Sequence, residues 1–255
     1  MHNSKYLFYI IPLVTFLSAC TSSSRVLYLQ NAGMASHNLD SLSYEPVLQP
    51  DDLLSVIISA QNPESVVPFN LPQIPGNYDI GNNQNAIKTY LIDNEGEINF
   101  PVIGKIALAG LSRRQANLKL QGLISAYVKD PEVNLRILNF KVTVLGEVNR
   151  PGIVSIKGER ITLLEALGNA GDLTIYGRRT DIILIREEQG VKAYHYINIT
   201  QTDFMQSPYY YLNQNDILIV NPNKTKINAS GVGPNTSILV STFSVLLTQL
   251  VLILK

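Results

Sequence analysis

The chain has 255 residues, 45% hydrophobic and 16% charged, with 20 basic residues balanced by 20 acidic ones. That is enough apolar material for one large or two small cores, and a net charge of zero supplies no field to draw nucleic acid. One cysteine, at position 20, excludes a disulfide framework within the chain.

The first residues account for that cysteine. Lys5 gives a positive start, "YLFYIIPLVTFL" is an apolar run, and "LSAC" comes directly after it. The layout is that of a secretory signal, and the run is too short for an ordinary spanning helix. "LSAC" resembles a bacterial lipobox, which implies that Met1 to Ala19 are removed and that Cys20 becomes the lipid-bearing first residue. Several acyl chains hold a protein stably to a bilayer where one does not. Thr21 comes next without an acidic cluster, which by resemblance to known sorting rules suits an outer-membrane lipoprotein facing the periplasm. Residues 20–43, with "TSSSR" just after the cysteine, read as a lipidated, flexible tether.

From Tyr44 the chain enters a first unit. "LLSVIIS" from Leu53 to Ser59 is a β-branched strand, and residues 60–88, rich in Pro and Asn, are a long irregular loop. "TYLID", a turn at Asp93-Asn94-Glu95-Gly96, and "EINF" come after the loop. A helix is predicted from Arg113 to about Tyr127, with Ala116, Leu120, Leu123, Ile124 and Tyr127 on one face. Asp130-Pro131 breaks it, and "EVNLRIL" closes the unit as a strand.

The second unit starts at once. "KVTVLGEV" is a strand, Arg150-Pro151-Gly152 favours a type II turn, and a helix from Leu163 to Ala170 is stopped by Gly171. "TDIILIRE" and "VKAYHYIN" form a hairpin, and "DILIV" is the last strand. A few strands wrapped on one helix make a β-grasp arrangement, so the fold class is α+β, with two small mixed strand/helix domains.

The two units share a pattern fifty residues apart. "GEINFPVIGKI" from Gly96 and "GEVNRPGIVSI" from Gly146 keep Gly, Glu, Asn and Pro in order. Downstream, Ser112 with Gln115 and Thr162 with Glu165 both have capping-box spacing. The shared residues set turns and caps, which are structural duties.

"YLIDNEGEINFPVIGKIALAGLSRRQA…YVKDPEVNL" resembles the polysaccharide-export domain of outer-membrane polysaccharide export proteins of the Wza type. "KVTVLGEVNRPGIVSI…ITLLEALGNAGDL…DIILIRE" resembles the SLBB (soluble-ligand-binding β-grasp) domain that comes next in that family. The resemblance covers roughly residues 44–222. One SLBB unit is evident where the longest members have two. The implied division is a signal peptide over 1–19, a tether over 20–43, the export domain over 44–138 and the SLBB domain over 139–222. A linker over 223–235 and a C-terminal membrane helix over 236–255 complete it.

That last segment, "TSILVSTFSVLLTQLVLIL" from Thr236 to Leu254, carries no charge before Lys255. As a helix it would be about 28 Å long, near the roughly 30 Å of a hydrocarbon core. Ser237, Ser241, Ser244 and Thr248 fall on one stripe. They suit a channel-lining seam in a ring of helices, and equally an anchor whose hydroxyls pack on another helix or bond their own backbone. A hydrated glycan needs a lumen of about 10–15 Å, which takes roughly six to eight helices at their usual spacing.

Little points to catalysis. His2 leaves with the signal, and His37 and His195 have no second ligand at metal spacing. The arginine pairs Arg113-Arg114 and Arg178-Arg179 read as solvated faces, and "PYYY" at 208–211 suits sugar stacking or an ordinary interface. No enzyme activity, cofactor or metal is expected. The resemblance implies a ring-forming homo-oligomer in the outer membrane, lipid-anchored at Cys20 with its bulk in the periplasm. It would conduct capsular polysaccharide or exopolysaccharide to the surface, meeting an inner-membrane polysaccharide co-polymerase or tyrosine-kinase partner. The alternative is a periplasm-facing glycan-binding or scaffolding lipoprotein without its own pore.

Overall fold

The computed structural model describes residues 24, 26–33, 44–70, 89–188, 190–231 and 235–253. Cys20, the signal segment, His37 and most of the long loop after the first strand lie outside the described residues.

The β-branched run becomes β1 (Leu53–Ser59), and its partners are β2 (Tyr90–Leu91) and β5 (Glu132–Ile137). The sheet order is β2-β1-β5, antiparallel throughout, with Leu54 opposite Ile137 and Ser59 opposite Glu132. A separate hairpin joins β3 (Glu97–Phe100) to β4 (Gly104–Ala107). Helix α1 (Arg113–Ile124) packs on β5 and closes the core with Ala116, Leu120 and Ile124. Its expected face is only partly right. The helix ends at Ile124, and Leu123 and Tyr127 are exposed. Tyr127 instead reaches sideways to Phe69, ring centroids 5.7 Å apart.

The second unit is a five-stranded sheet. Its strands are β6 (Lys141–Gly146), β7 (Gly152–Ser155), β8 (Ile182–Glu188), β9 (Val191–Ile197) and β10 (Ile217–Val220). Their spatial order is β7-β6-β10-β8-β9, and only β6 and β10 run parallel. A parallel pair needs a long crossover, and that crossover holds helix α2 (Leu163–Asn169) and the β8–β9 hairpin. Helix α2 covers one face, where Val142, Val144, Leu184 and Leu218 are fully buried. Gly152 begins β7, so Pro151-Gly152 leads into a strand rather than a type II turn.

The register exposes a feature of the opposite face. Ile153, Thr143, Ile217, Ile185 and Tyr194 form one row across all five strands. Leu145, Ile219, Ile183 and Tyr196 form a second row across four. A sheet with one buried face normally turns polar residues outward. Here eight of these nine outward residues are apolar or aromatic, and Ile153, Tyr194 and Tyr196 are 66%, 63% and 71% exposed.

Two end segments differ from expectation. Residues read as tether lie on the second unit: Leu29 N–H donates to Ile199 O at 3.3 Å and Gln30 N–H to Thr200 O at 2.7 Å. At the other end the segment read as a linker carries α3 (Lys224–Gly231), and α4 (Asn235–Ile253) comes after it.

A membrane-crossing helix over 236–255 is not supported. Among the described residues no helix is long and apolar enough to cross a membrane. A span needs about 20 predominantly apolar residues, whereas α4 has 19, eight of them polar, from Asn235 to Gln249. The hydroxyl and amide groups are spread along most of the helix rather than confined to one narrow seam. The architecture is therefore two mixed strand/helix domains without that transmembrane element.

Candidate functional site

Of the residues predicted to matter, Ser237, Ser241, Ser244 and Thr248 all lie in α4. Ser241, Ser244 and Thr248 are exposed. Ser241 Oγ donates to Ile238 O and Thr248 Oγ1 to Ser244 O, both at 2.9 Å. Two of the four hydroxyls thus bond the carbonyls of the turn before them, a local use that needs no partner helix.

The "PYYY" segment is no free platform. Tyr209, Tyr210 and Tyr211 are half-buried around a deeply placed ion pair. Arg186 and Asp216 have side chains 6% and 1% exposed and meet at 2.6 Å. The same guanidinium donates to Tyr211 O at 3.0 Å and Pro208 O at 3.4 Å, so one side chain ties β8 to the tyrosine loop. Burial holds the Asp216 carboxyl above its ordinary range, and the hydrogen bonds from Arg186 offset only part of that rise. His195 stacks on Tyr209 with centroids 4.1 Å apart, which gives this lone histidine a packing role.

Aromatic and polar contacts also join the two domains. Tyr44 stacks on Tyr211 with centroids 5.0 Å apart, and its hydroxyl donates to Leu212 O at 2.8 Å. Asn139, between β5 and β6, accepts from Leu53 N–H at 2.9 Å and donates to Asp51 O at 2.8 Å. Gln214 donates to Asn139 O at 3.1 Å and accepts from Lys141 N–H at 2.8 Å. Beside them Asp52 is fully buried, and burial raises its carboxyl to about 6. Its Oδ2 accepts from Gln49 N–H at 2.9 Å, while Oδ1 has no hydrogen-bond partner among the described residues.

Next to this junction is a cleft of about 160 Å³ lined by both domains. The export side gives Pro46, Arg113 at the start of α1, and Arg136 on β5. The other side gives Phe140 and the Lys157-Gly158-Glu159 loop between β7 and α2. Arg113 and Glu159 form an ion pair at 3.1 Å across the boundary. Sequence reasoning missed this cleft, since its cations come from positions 113, 136 and 157. Arg114 is solvated as expected, 72% exposed and 3.2 Å from Glu45, whereas Arg113 lines the cleft.

Residues 40–138 match the polysaccharide biosynthesis/export protein family, and residues 141–195 match the SLBB domain. The chain is also similar to two proteins named EPS I polysaccharide export outer membrane protein EpsA. The one from Ralstonia solanacearum is 34% identical over 49% of this chain, and the one from Ralstonia nicotianae is 35% identical over 53%. The matched stretch spans only 34% and 37% of those two relatives' lengths. The two domain matches lie within three residues of one another and together take in more than half of the chain. It carries an export domain of the polysaccharide biosynthesis/export family, followed directly by an SLBB domain.

Proposed function

We propose that this chain is a lipid-anchored outer-membrane protein that assembles as a ring and passes exopolysaccharide from periplasm to cell surface. The export domain followed at once by an SLBB domain carries the reading. The chain is no enzyme: its part is to build a wall around a moving polymer. Acyl chains on Cys20 hold it to the membrane, and an inner-membrane polysaccharide co-polymerase delivers the polymer. The two domains form stacked layers of the periplasmic part of the channel.

The ring draws support from surfaces that a monomer leaves uncovered. Contiguous apolar patches of this kind mark association sites. The outer rows of the SLBB sheet are one, and α4 is another, with Phe243, Val245, Leu246 and Leu252 all exposed. In the ring, Ser237, Ser241, Ser244 and Thr248 are assigned to the channel side of α4, with Leu246 on the opposite side.

Complementation of a strain lacking the chain tests export. Wild type should restore surface polysaccharide, and Cys20→Ser should lose acyl labelling and most of that restoration. Surface polysaccharide that does not depend on the chain would refute the export role. Full export by an unlabelled Cys20→Ser protein would refute the anchor alone, and a scaffold without its own pore would tolerate bulky adducts at Ser241 or Ser244.

A further inference from the structure

The interdomain cleft gathers charge mainly of one sign. The chain as a whole is neutral, yet the cleft gathers Arg113, Arg136 and Lys157 against the single carboxylate of Glu159. That carboxylate is already spent on Arg113 at 3.1 Å. Arg136 makes one long contact, to Asn134 Oδ1 at 3.4 Å. Lys157 makes no side-chain hydrogen bond or ion pair among the described residues. Two cations, one from each domain, therefore face the same small space with no carboxylate paired to either among the described residues. Mutual repulsion would push flexible side chains apart unless an anion offsets it.

Size and lining narrow the class of anion. About 160 Å³ holds roughly five waters and is well below the usual volume of drug-sized sites. It fits one monosaccharide ring. The apolar part of the lining, Ile137, Leu138, Phe140 and Pro46, matches the C–H face of a pyranose, and the cations match an acidic substituent. We propose that this cleft binds an anionic saccharide residue, one carrying a carboxylate or phosphate. Its acidic group lies between Arg136 and Lys157, and its ring lies on the apolar side. The inference rests on the export reading and gives the passing polymer a chemical class. A guanidinium supplies a planar fork for such an oxyanion, and a lysine supplies a point charge beside it. The bound group also competes with Glu159 for Arg113, so occupancy loosens the one ion pair that crosses the cleft.

The test uses the full chain in detergent micelles, titrated by calorimetry with a glucuronate-containing disaccharide, with glucose 6-phosphate and with cellobiose. One or both anionic probes should bind at least ten times more tightly than neutral cellobiose, and whichever does so identifies the acidic group. Affinity should fall as salt rises, because the contact is partly exposed. Arg136→Gln and Lys157→Gln should each weaken binding about fivefold to tenfold, while Lys192→Gln, remote on β9, should leave it unchanged. Equal binding of cellobiose, an Arg136→Gln/Lys157→Gln double variant of undiminished affinity, or no binding of either anion would overturn the proposal. Restored surface polysaccharide alongside any of those results would leave the export role standing and remove only the cleft assignment.

Discussion

In the export domain Gly96, with φ +81°, closes the turn ahead of β3, and its carbonyl accepts from Leu108 and Ala109 N–H at 2.9 and 3.1 Å. Fifty residues on, Gly146, with φ +91°, ends β6 and lies against the backbone of Val220 on β10. The residues after each glycine diverge as well. Glu97 to Phe100 are a strand, and Pro101 sits in the hairpin turn, whereas Glu147 to Arg150 are irregular and Pro151 leads into β7. The pattern converges again at the helices. Gln115 N–H donates to Ser112 Oγ at 3.3 Å and Glu165 N–H to Thr162 Oγ1 at 3.2 Å, with the reciprocal bonds at 2.8 and 2.7 Å. Similar residues give the same structure where the chemistry is local, as in a cap, and different structures where a strand must find a distant partner.

The domains also differ in how they bury charge, and that gives the largest expected effect. The SLBB domain holds Asp216 against Arg186, so Arg186→Leu strands a buried carboxylate. It should cost about 3–5 kcal/mol of that domain's stability. Amide exchange should accelerate in β8 and β10 while the export-domain strands keep their protection. Uniform loss across both domains would mean that they unfold as one unit.

The paired glycines come next. A Cβ on Gly146 would lie 2.1 Å from Val220 O, a backbone atom fixed in the sheet, whereas a Cβ on Gly96 would meet only Ala109 Cβ at 2.8 Å. Both share the positive-φ strain of about 1–2 kcal/mol. Gly146→Ala should therefore destabilise by about 3 kcal/mol or more, clearly beyond Gly96→Ala, in denaturant titrations. Equal losses would show that strain alone governs both positions.

Asp52 has no partner like Arg186. Burial holds its carboxyl at about 6 in the folded chain, above the ordinary 3.8. The folded state thus favours its protonated form. That contribution is complete below pH 3.8 and is lost as pH rises through 6, a difference worth up to about 3 kcal/mol. Subtracting the stability curve of Asp52→Asn from that of wild type should give a line that falls across this window. A flat difference would place Asp52 in contact with solvent. The smallest effects belong to the caps. Ser112→Ala and Thr162→Ala should each cost about 0.5–2 kcal/mol by thermal or denaturant melting, with similar values because their geometries match.

The same division separates the features that were legible in the sequence from those that were not. The bounds of β1, both capping boxes and Gly171 as the stop after α2 were legible, because each depends on neighbours within a few residues. The docking of residues 28–31 was not. Tyr28 is held by Asp172 and by Arg179, whose guanidinium lies 5.2 Å from its ring centre, both distant in sequence. Runs such as "IILI" and "ILIV" read as buried strands, and periodicity alone does not show that one side of each lacks a cover. The cleft escaped notice for the same reason, as a meeting of three single cations. In α4 the polar stripe was legible too, but its reading as one seam of a spanning helix fails because eight of the nineteen residues are polar.

Ring formation underlies the whole functional proposal, and the mass of the detergent-solubilised particle tests it most directly. From a chain of 28.2 kDa before any processing, a closed ring should give a protein mass of about six to eight subunits. Tyr196→Asp, which puts charge on the exposed SLBB face without touching the core, should shift it towards single subunits. A wild-type particle containing one chain would contradict the ring, and an unchanged multiple in Tyr196→Asp would remove that face from its interface.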